Sequence, residues 1–286
     1  MSTILITGAN GQLGYEIRLQ SVNKTSHKFI FTDIEDLDIT DAIAVSRFVT
    51  DKSIDFIVNC AAYTAVDKAE DDLELCHRIN AFAVKNLAQA ARQIGAKMIH
   101  ISTDYVYSGT NYKPYLEEDL TGPRSVYGKT KLEGEKLLFE TCEDSLVLRT
   151  SWLYSPYGNN FVKTMMRLGA ERNELSVVAD QIGSPTYAAD LAGVILSIID
   201  SRKFVPGIYN YSNEGICSWY DFAKTIHRMS GIDTCNVVPI AGADYKAKAE
   251  RPFYSVMNKK KIKNIYGVEI PWWEDSLLKC IRILMK

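Results

Sequence analysis

The sequence predicts an α/β protein built on a doubly wound parallel sheet, followed by a smaller C-terminal α/β domain. Three observations carry that expectation. Short β-branched runs take turns with segments of helical spacing, a glycine-rich turn joins the first run to the first helix, and the alternation loosens after about Trp152. The runs lie at residues 4–7, 28–33, 55–59, 97–102 and 145–150, each of a length that suits a strand covered on both faces. Between them, Leu13 with Ile17, Val45 with Phe48 and Val49, Leu75 with Ile79, and Leu87 with Ala91 recur at the spacing of one helix face. Further on, residues 189–200 read as a buried helix, 207–211 as a strand, and 218–230 as a helix with Ser218 at its N-cap and Asp221 three residues on.

Composition narrows the classes. A chain of 286 residues allows one large or two unequal domains. With 47% hydrophobic and 24% charged residues it is an average globular composition, which excludes disordered and fibrous classes. Lys plus Arg number 33 and Asp plus Glu 35, so a net charge of -2 offers no bulk attraction to nucleic acid or to an anionic membrane. The longest apolar stretch, near residues 191–199, is broken by Gly193 and Ser197 and is far short of the about 20 residues of a membrane span. The start of the chain lacks a basic n-region and runs directly into a strand-like segment. The 6 cysteines form no C-x-x-C pair and the 4 histidines show no metal-ligand spacing. A cytoplasmic protein with no metal site is therefore expected. No repeat or low-complexity segment stands out, and the basic run Lys259, Lys260, Lys261, Lys263 reads as a solvated helix face.

Chemistry concentrates in three places. Gly8-Ala9-Asn10-Gly11-Gln12-Leu13-Gly14 follows a strand and opens a helix. Gly8 suits a tight turn, Gly11 close approach of backbone to a diphosphate, and Gly14 packing of helix on strand, with the helix N-terminus offering N–H groups to phosphate. Asp33 ends the second run about 20 residues on, where a carboxylate can accept from a ribose hydroxyl. Tyr127 and Lys131 stand one helical turn apart, so an ammonium can lower the pKa of a phenol whose ordinary value is about 10. His100-Ile101-Ser102-Thr103-Asp104 ends the fourth run and brings hydroxyls to the carboxyl edge of the sheet. These features predict a Rossmann fold over residues 1–150 that binds NAD(P). Residues 151–286 are expected to be mainly a substrate domain, with about 175–200 returning to the first.

In this order and spacing, the three elements resemble the extended short-chain dehydrogenase/reductase family. Within it, the segments Asn59-Cys60-Ala61-Ala62-Tyr63-Thr64, Ser102-Thr103-Asp104-Tyr105, Tyr127-Gly128-Lys129-Thr130-Lys131, Arg149-Thr150-Ser151-Trp152, Gly158-Asn159-Asn160-Phe161, residues 180–186 and Arg251-Pro252 are similar to the dTDP-4-dehydrorhamnose reductases. The resemblance covers essentially the whole chain. It implies reduction of the 4-keto group of a dTDP-sugar by NADPH or NADH, giving dTDP-L-rhamnose for surface polysaccharide. It also implies roles: Gly8, Gly11, Gln12, Leu13 and Gly14 on the dinucleotide phosphates; Asp33, Asp38 and Ile39 at the adenosine end; Ala62, Tyr63, Thr64 and Ile101 along the cofactor. Tyr127 would be the proton donor, Lys131 would hold the nicotinamide ribose and depress the phenol, and Thr103 would donate to the ketone. Thr103, Asp104, Trp152, Asn160 and Arg251 would contact the sugar nucleotide. A homodimer is compatible with the family. Some members hold Mg2+ between subunits; Glu16 occupies one matching position, but Ala189 stands where a second acid is required, so the metal is not expected here.

Related activities are weighed on the same residues. Sugar-nucleotide dehydratases need Asp-Glu after the catalytic Thr, and here Tyr105 follows Asp104. Epimerases share the Tyr/Lys chemistry and stay open. A catalytically silent role, like that of the animal methionine adenosyltransferase regulatory subunit, is opposed by the intact Thr103, Tyr127 and Lys131.

Overall fold

The computed structural model describes every residue except 23 and 202. The strands are β1 (Ser2–Thr7), β2 (His27–Thr32), β3 (Phe56–Asn59), β4 (Lys97–Thr103), β5 (Ser145–Thr150), β6 (Leu153–Tyr154), β7 (Glu174–Val178), β8 (Ile182–Gly183), β9 (Thr186–Tyr187), β10 (Gly207–Asn210), β11 (Cys217–Ser218) and β12 (Asn236–Ile240). The α-helices are α1 (Gln12–Ser21), α2 (Ala42–Asp51), α3 (Val66–Ala69), α4 (Leu73–His77), α5 (Ala83–Ile94), α6 (Val126–Thr141), α7 (Phe161–Glu171), α8 (Ala188–Asp200), α9 (Trp219–Ser230), α10 (Lys260–Tyr266) and α11 (Trp273–Leu284), with a π-helical turn at Arg78–Phe82 between α4 and α5.

Six strands form one parallel sheet in the order β10-β5-β4-β3-β1-β2. Its strands are near-continuously apolar because both faces are covered. Ile4, Ile6, Val58, Ile99, Leu146 and Leu148 point to the face packed by α1 and α8. Their neighbours Leu5, Ile57, Met98 and Val147 point to the other, packed by α2, α5 and α6. This two-residue alternation fixes the register, since a one-residue slip would exchange the faces. The helix ends follow side-chain chemistry: Asp41, Ser125 and Asn160 each accept from backbone N–H groups in the first turn of α2, α6 and α7. Ser218 and Asp221 form the expected capping box of α9.

Within the expected 175–200, residues 188–200 return to the sheet layer, and strand β10 follows just beyond. Helix α8 and strand β10 rejoin it, whereas β7 pairs with β12 in a separate two-stranded sheet. The remaining short strands, with α7, α9 and α11, enclose a second core around Tyr154, Leu175, Phe222 and Trp273. No described helix is long and apolar enough to cross a membrane. The basic run is not a uniformly solvated face. Lys259 is buried, bonded to Glu214 and to the Asn213 carbonyl, and Lys261 lies 5.0 Å over the Tyr209 ring. The acid that pairs with Lys259 lies 45 positions earlier in the chain, beyond the reach of a local pattern.

Beneath the carboxyl edge a buried polar network ties β4, β5 and α6 together. Glu135 accepts from Arg149 Nη2 at 2.6 Å and from Ser102 Oγ, and Arg149 Nη1 donates to the Tyr107 hydroxyl at 2.9 Å. Removing one partner of a buried ion pair leaves an uncompensated charge, so Glu135→Leu should lower the unfolding free energy by about 3–5 kcal/mol. Adding Arg149→Met should restore most of it; urea unfolding of both variants reads the difference, and additive losses would contradict this account.

Candidate active site

The chain lays β2 on one side of β1 and β3 on the other, so the loops leaving β1 and β3 part at the carboxyl edge. A cleft of about 520 Å³ opens there, lined by residues that follow β1, β3, β4 and β5, by the first turns of α6, and by Trp219. Another hollow, of about 650 Å³ beside Lys259 and Trp272, is larger, but the sheet-edge cleft is where Thr103, Asp104, Tyr127 and Lys131 converge.

The glycine loop is shaped by close approach. Gly8 has φ +63°, and a Cβ there would lie 2.6 Å from the Ala61 nitrogen; one on Gly14 would lie 2.5 Å from the Gly8 oxygen. Gly11 is the N-cap of α1 and supplies no side-chain cap, so the first-turn N–H groups and the positive helix end remain for a ligand. That is the donor set a diphosphate requires. Asp33 is pinned beside this loop, accepting from Asn10 N and Ile34 N at 2.9 Å each.

Gly8, Gly11, Gln12, Leu13, Gly14, Ala62, Thr64 and Ile101 line the cleft as the sequence anticipates. Asp33, Asp38, Ile39 and Tyr63 do not. Asp38 accepts from the Thr40 N–H and hydroxyl, Ile39 is buried in the core, and both backbone groups of Tyr63 are held by the Asn80 side chain.

Ser125 caps α6 by accepting from Gly128 N, which sets Tyr127 and Lys131 on successive turns. The two do not share a direct contact of the expected kind. Burial pushes the Tyr127 phenol well above its ordinary range, the Thr103 hydroxyl hydrogen-bonds it and lowers it, and Asp104 raises it again. Lys131 Nζ donates to the Ile101 carbonyl at 2.6 Å and stands 3.2 Å from His100 Nε2. Burial brings this lysine down to about 8, against the opposing charge of Glu135. Thr103 eases ionisation of the phenol here.

On the substrate side, Asp104 is buried beside Thr103, whose hydroxyl donates to its Oδ1 at 3.1 Å, and the Ser255 side chain also favours its charged form. Burial pushes its carboxyl up to about 6. Trp152 adopts φ +49°, a strained conformation for a bulky residue, and its indole stacks on Trp219 with centroids 3.6 Å apart. Asn160 lines the cleft, but its amide is engaged by Gln12 Oε1, the Ser155 carbonyl and Lys163 N, so it locks α7 to the glycine loop. Arg251 falls outside the lining: Asp67 holds its guanidinium at 2.6 and 3.1 Å. Tyr105, at the position where a dehydratase would carry Glu, packs edge-on against the Tyr127 ring.

Sequence reasoning left Asn59, Asn80, His100 and Trp219 without roles. Asn80 sits on the π-helical turn, an irregularity that interrupts the helical spacing of its segment. Trp219 comes from a different layer, and no local pattern signals that it meets Trp152. Glu16 is buried and bonded to Ser155, with Asp190 facing it. Asp190 is itself bonded to Asn213 and Ser276. Among the described residues no group of three or more His, Cys, Asp and Glu side chains could hold a metal ion.

Fold and cleft together define an oxidoreductase of the extended short-chain dehydrogenase/reductase class. The chain belongs to the family described as RmlD substrate binding domain, which it matches over residues 1–285. It is 40% identical over 277 residues to the spore coat polysaccharide biosynthesis protein SpsK of Bacillus subtilis, covering 97% of this chain and 96% of the relative. It is 40% identical over 295 residues to the dTDP-4-dehydrorhamnose reductase of Escherichia coli, covering 98% and 97%. The crystal structure of a dTDP-4-dehydrorhamnose reductase from Clostridium acetobutylicum superposes with a TM-score of 0.96 at 46% identity, covering 99% of this chain and 100% of that one. That of the Bacillus anthracis reductase in complex with NADP gives 0.94 at 41%, covering 99% of each. Dehydratase structures near 17% identity share the fold.

The Asp104 environment has a pH signature. Its folded pKa lies above the ordinary value of about 4, so protonation favours the folded state; that contribution is complete below about pH 4 and is lost as the pH rises through about 6. Asp104→Asn keeps the shape without the charge. Its stability relative to the natural protein should rise by about 2 kcal/mol from pH 4 to pH 7 in urea unfolding, whereas a constant difference would remove the buried charge from the account.

Proposed function

We propose that this protein uses NADPH or NADH to reduce the 4-keto group of dTDP-4-dehydro-6-deoxy-L-mannose (dTDP-4-dehydrorhamnose), giving dTDP-L-rhamnose for cell-surface polysaccharide. The observation that carries the reading is the convergence of Thr103, Asp104 and Tyr127 in one cleft with the glycine cradle. Its substrate class is drawn from relatives named for that reaction.

A bound nicotinamide dinucleotide supplies the hydride. The α1 N-terminus and the glycine loop take the diphosphate through backbone N–H groups, and Asp33, fixed by Asn10 N, offers acceptors toward the adenosine ribose. Hydride addition to a carbonyl carbon leaves negative charge on oxygen, so donors must stand where that charge develops. Tyr127 and Thr103 both line the cleft, and the Thr103 hydroxyl lowers the pKa of the phenol. Tyr127 gives the proton and Thr103 holds the oxygen. Lys131, on the next turn of α6 and also lining the cleft, is a second group that can exchange a proton near pH 8. Asp104 borders the sugar site and holds the Thr103 hydroxyl, and the Trp152–Trp219 stack forms an apolar wall against which a ring can lie.

Mixing the protein with NADPH and the 4-keto sugar nucleotide should cause loss of the nicotinamide absorbance. Tyr127→Phe should retain cofactor binding and lose at least about 100-fold in kcat. Full absorbance over time with the natural protein, together with a tightly retained NAD that needs no added reductant, would instead favour an epimerase. Asp33→Ala should raise the NADPH-to-NADH preference in kcat/KM, because a carboxylate repels a 2′-phosphate; an unchanged ratio would show that Asp33 does not read the ribose.

A further inference from the structure

The hydrogen-bond donors around Lys131 dictate a state for the residue beneath it. Asn59 Oδ1 accepts from the Thr7 hydroxyl at 2.7 Å and from Ala61 N at 3.1 Å. A backbone N–H can only donate, so the amide cannot be turned over, and Asn59 Nδ2 must be the group facing His100 Nδ1 at 3.1 Å. His100 Nδ1 is then an acceptor and carries no proton. The ring is fully buried, and burial followed by the Lys131 charge pushes its pKa well down, so it is a neutral imidazole whose proton sits on Nε2. That N–H points at Lys131 Nζ, 3.2 Å away.

An ammonium at Lys131 meets a donor there; an amine meets a partner. In the charged form Nζ has the Ile101 carbonyl and no acceptor at His100. When a proton leaves Nζ, its bonding electron pair stays on nitrogen as the lone pair that accepts the His100 Nε2–H, and a remaining N–H keeps the Ile101 bond. We propose that His100 is a positioning residue for the reduction: locked by Asn59 with its N–H toward Lys131, it stabilises the amine that Lys131 becomes on giving up a proton to the reacting site. This rests on the reductase reading for its purpose, though not for its chemistry.

No other group near the pair can take that part. Cys60, following β3, has its thiol pushed up to about 12 by burial, and Cys76 on α4 is raised as well, so both stay neutral. Glu135 on α6 favours the charged lysine but is bound to Arg149 on β5 and Ser102 on β4. Tyr127, one turn above, is pushed up by burial and holds its own proton until the substrate takes it. Of these neighbours, His100 is the one that discriminates between the two states of Lys131 by a hydrogen bond in favour of the neutral one.

Two measurements on the folded protein, neither needing substrate, test this. Nitrogen-15 spectra of histidine-labelled protein should show His100 as the neutral, Nε2-protonated tautomer from about pH 5 to about pH 9; an Nδ1-protonated or charged ring overturns the proposal. In protein labelled at lysine Cε, with Lys131→Met for assignment, the Lys131 signal should titrate near pH 8. In His100→Gln it should titrate at least about one unit higher, because a side-chain carbonyl can turn to the ammonium where Nε2–H cannot. The alkaline limb of kcat/KM should move by the same amount, with kcat at neutral pH about tenfold lower. An unchanged Lys131 titration in His100→Gln overturns the proposal even if that variant is slow. If it fails to fold, the tautomer of the natural protein still decides. Correct spectra with no turnover on the keto sugar would leave the proton-holding geometry standing and strike the reductase reading alone.

Discussion

A lysine with 1% of its surface exposed, at the carboxyl edge of a parallel sheet, is the constraint on which the rest of the site depends. A buried ammonium is costly unless its N–H groups are accepted and its charge is opposed. Here the Ile101 carbonyl supplies one acceptor, and Glu135 supplies opposing charge at longer range while bonded to Arg149. The result is a cation that is tolerated but loosely held. For a group that must lose and regain a proton during turnover, a pKa of about 8 lies closer to the working pH than the ordinary lysine value does. The strand that supplies the Ile101 carbonyl ends at Thr103, with Asp104 next in the chain, so one element positions the Lys131 ammonium, the hydroxyl donor and the adjoining carboxylate.

The second constraint is that two layers must meet at this edge without closing it. The first contributes glycines whose missing side chains let the loop after β1 lie against the loop after β3. The second contributes α7, tied to the glycine loop by the Asn160–Gln12 hydrogen bond, and α9, whose Trp219 covers Trp152. Gly183 permits that stack, since a Cβ there would lie 2.7 Å from the Trp152 indole. The positive φ of Trp152 costs about 1–3 kcal/mol in general terms, and the surrounding aromatic packing holds it in place.

Much of the first layer was legible from the chain because its signals are local. The β-branched runs, the glycine spacing after β1 and the i, i+4 placement of Tyr127 and Lys131 each act within a few residues. Cap residues such as Ser218 were legible for the same reason. The return of α8 fell inside the expected range, whereas β7 did not join the large sheet and β10 lies beyond that range, because β7 has the same strand-like composition whether it joins the large sheet or pairs with β12. Arg251 and Asn160 were assigned to substrate from their motifs, yet each is engaged by a partner far away in sequence, Asp67 and Gln12. The orientation of Lys131 toward His100 was hidden because it depends on Asn59, which is fixed in turn by the backbone of Ala61. Such chains of hydrogen bonds link β3, β4 and α6, and none leaves a periodic trace.

The central claim is that this cleft passes hydride to a ketone carbon and a proton to its oxygen. The most direct measurement is the fate of deuterium carried on the reactive carbon of the reduced nicotinamide, followed into the sugar nucleotide by NMR and mass spectrometry. The account requires one deuterium at C4 of the product and one equivalent of oxidised cofactor for each sugar reduced. Product that carries no deuterium at C4, or sugar converted with no net oxidation of the cofactor, would contradict it.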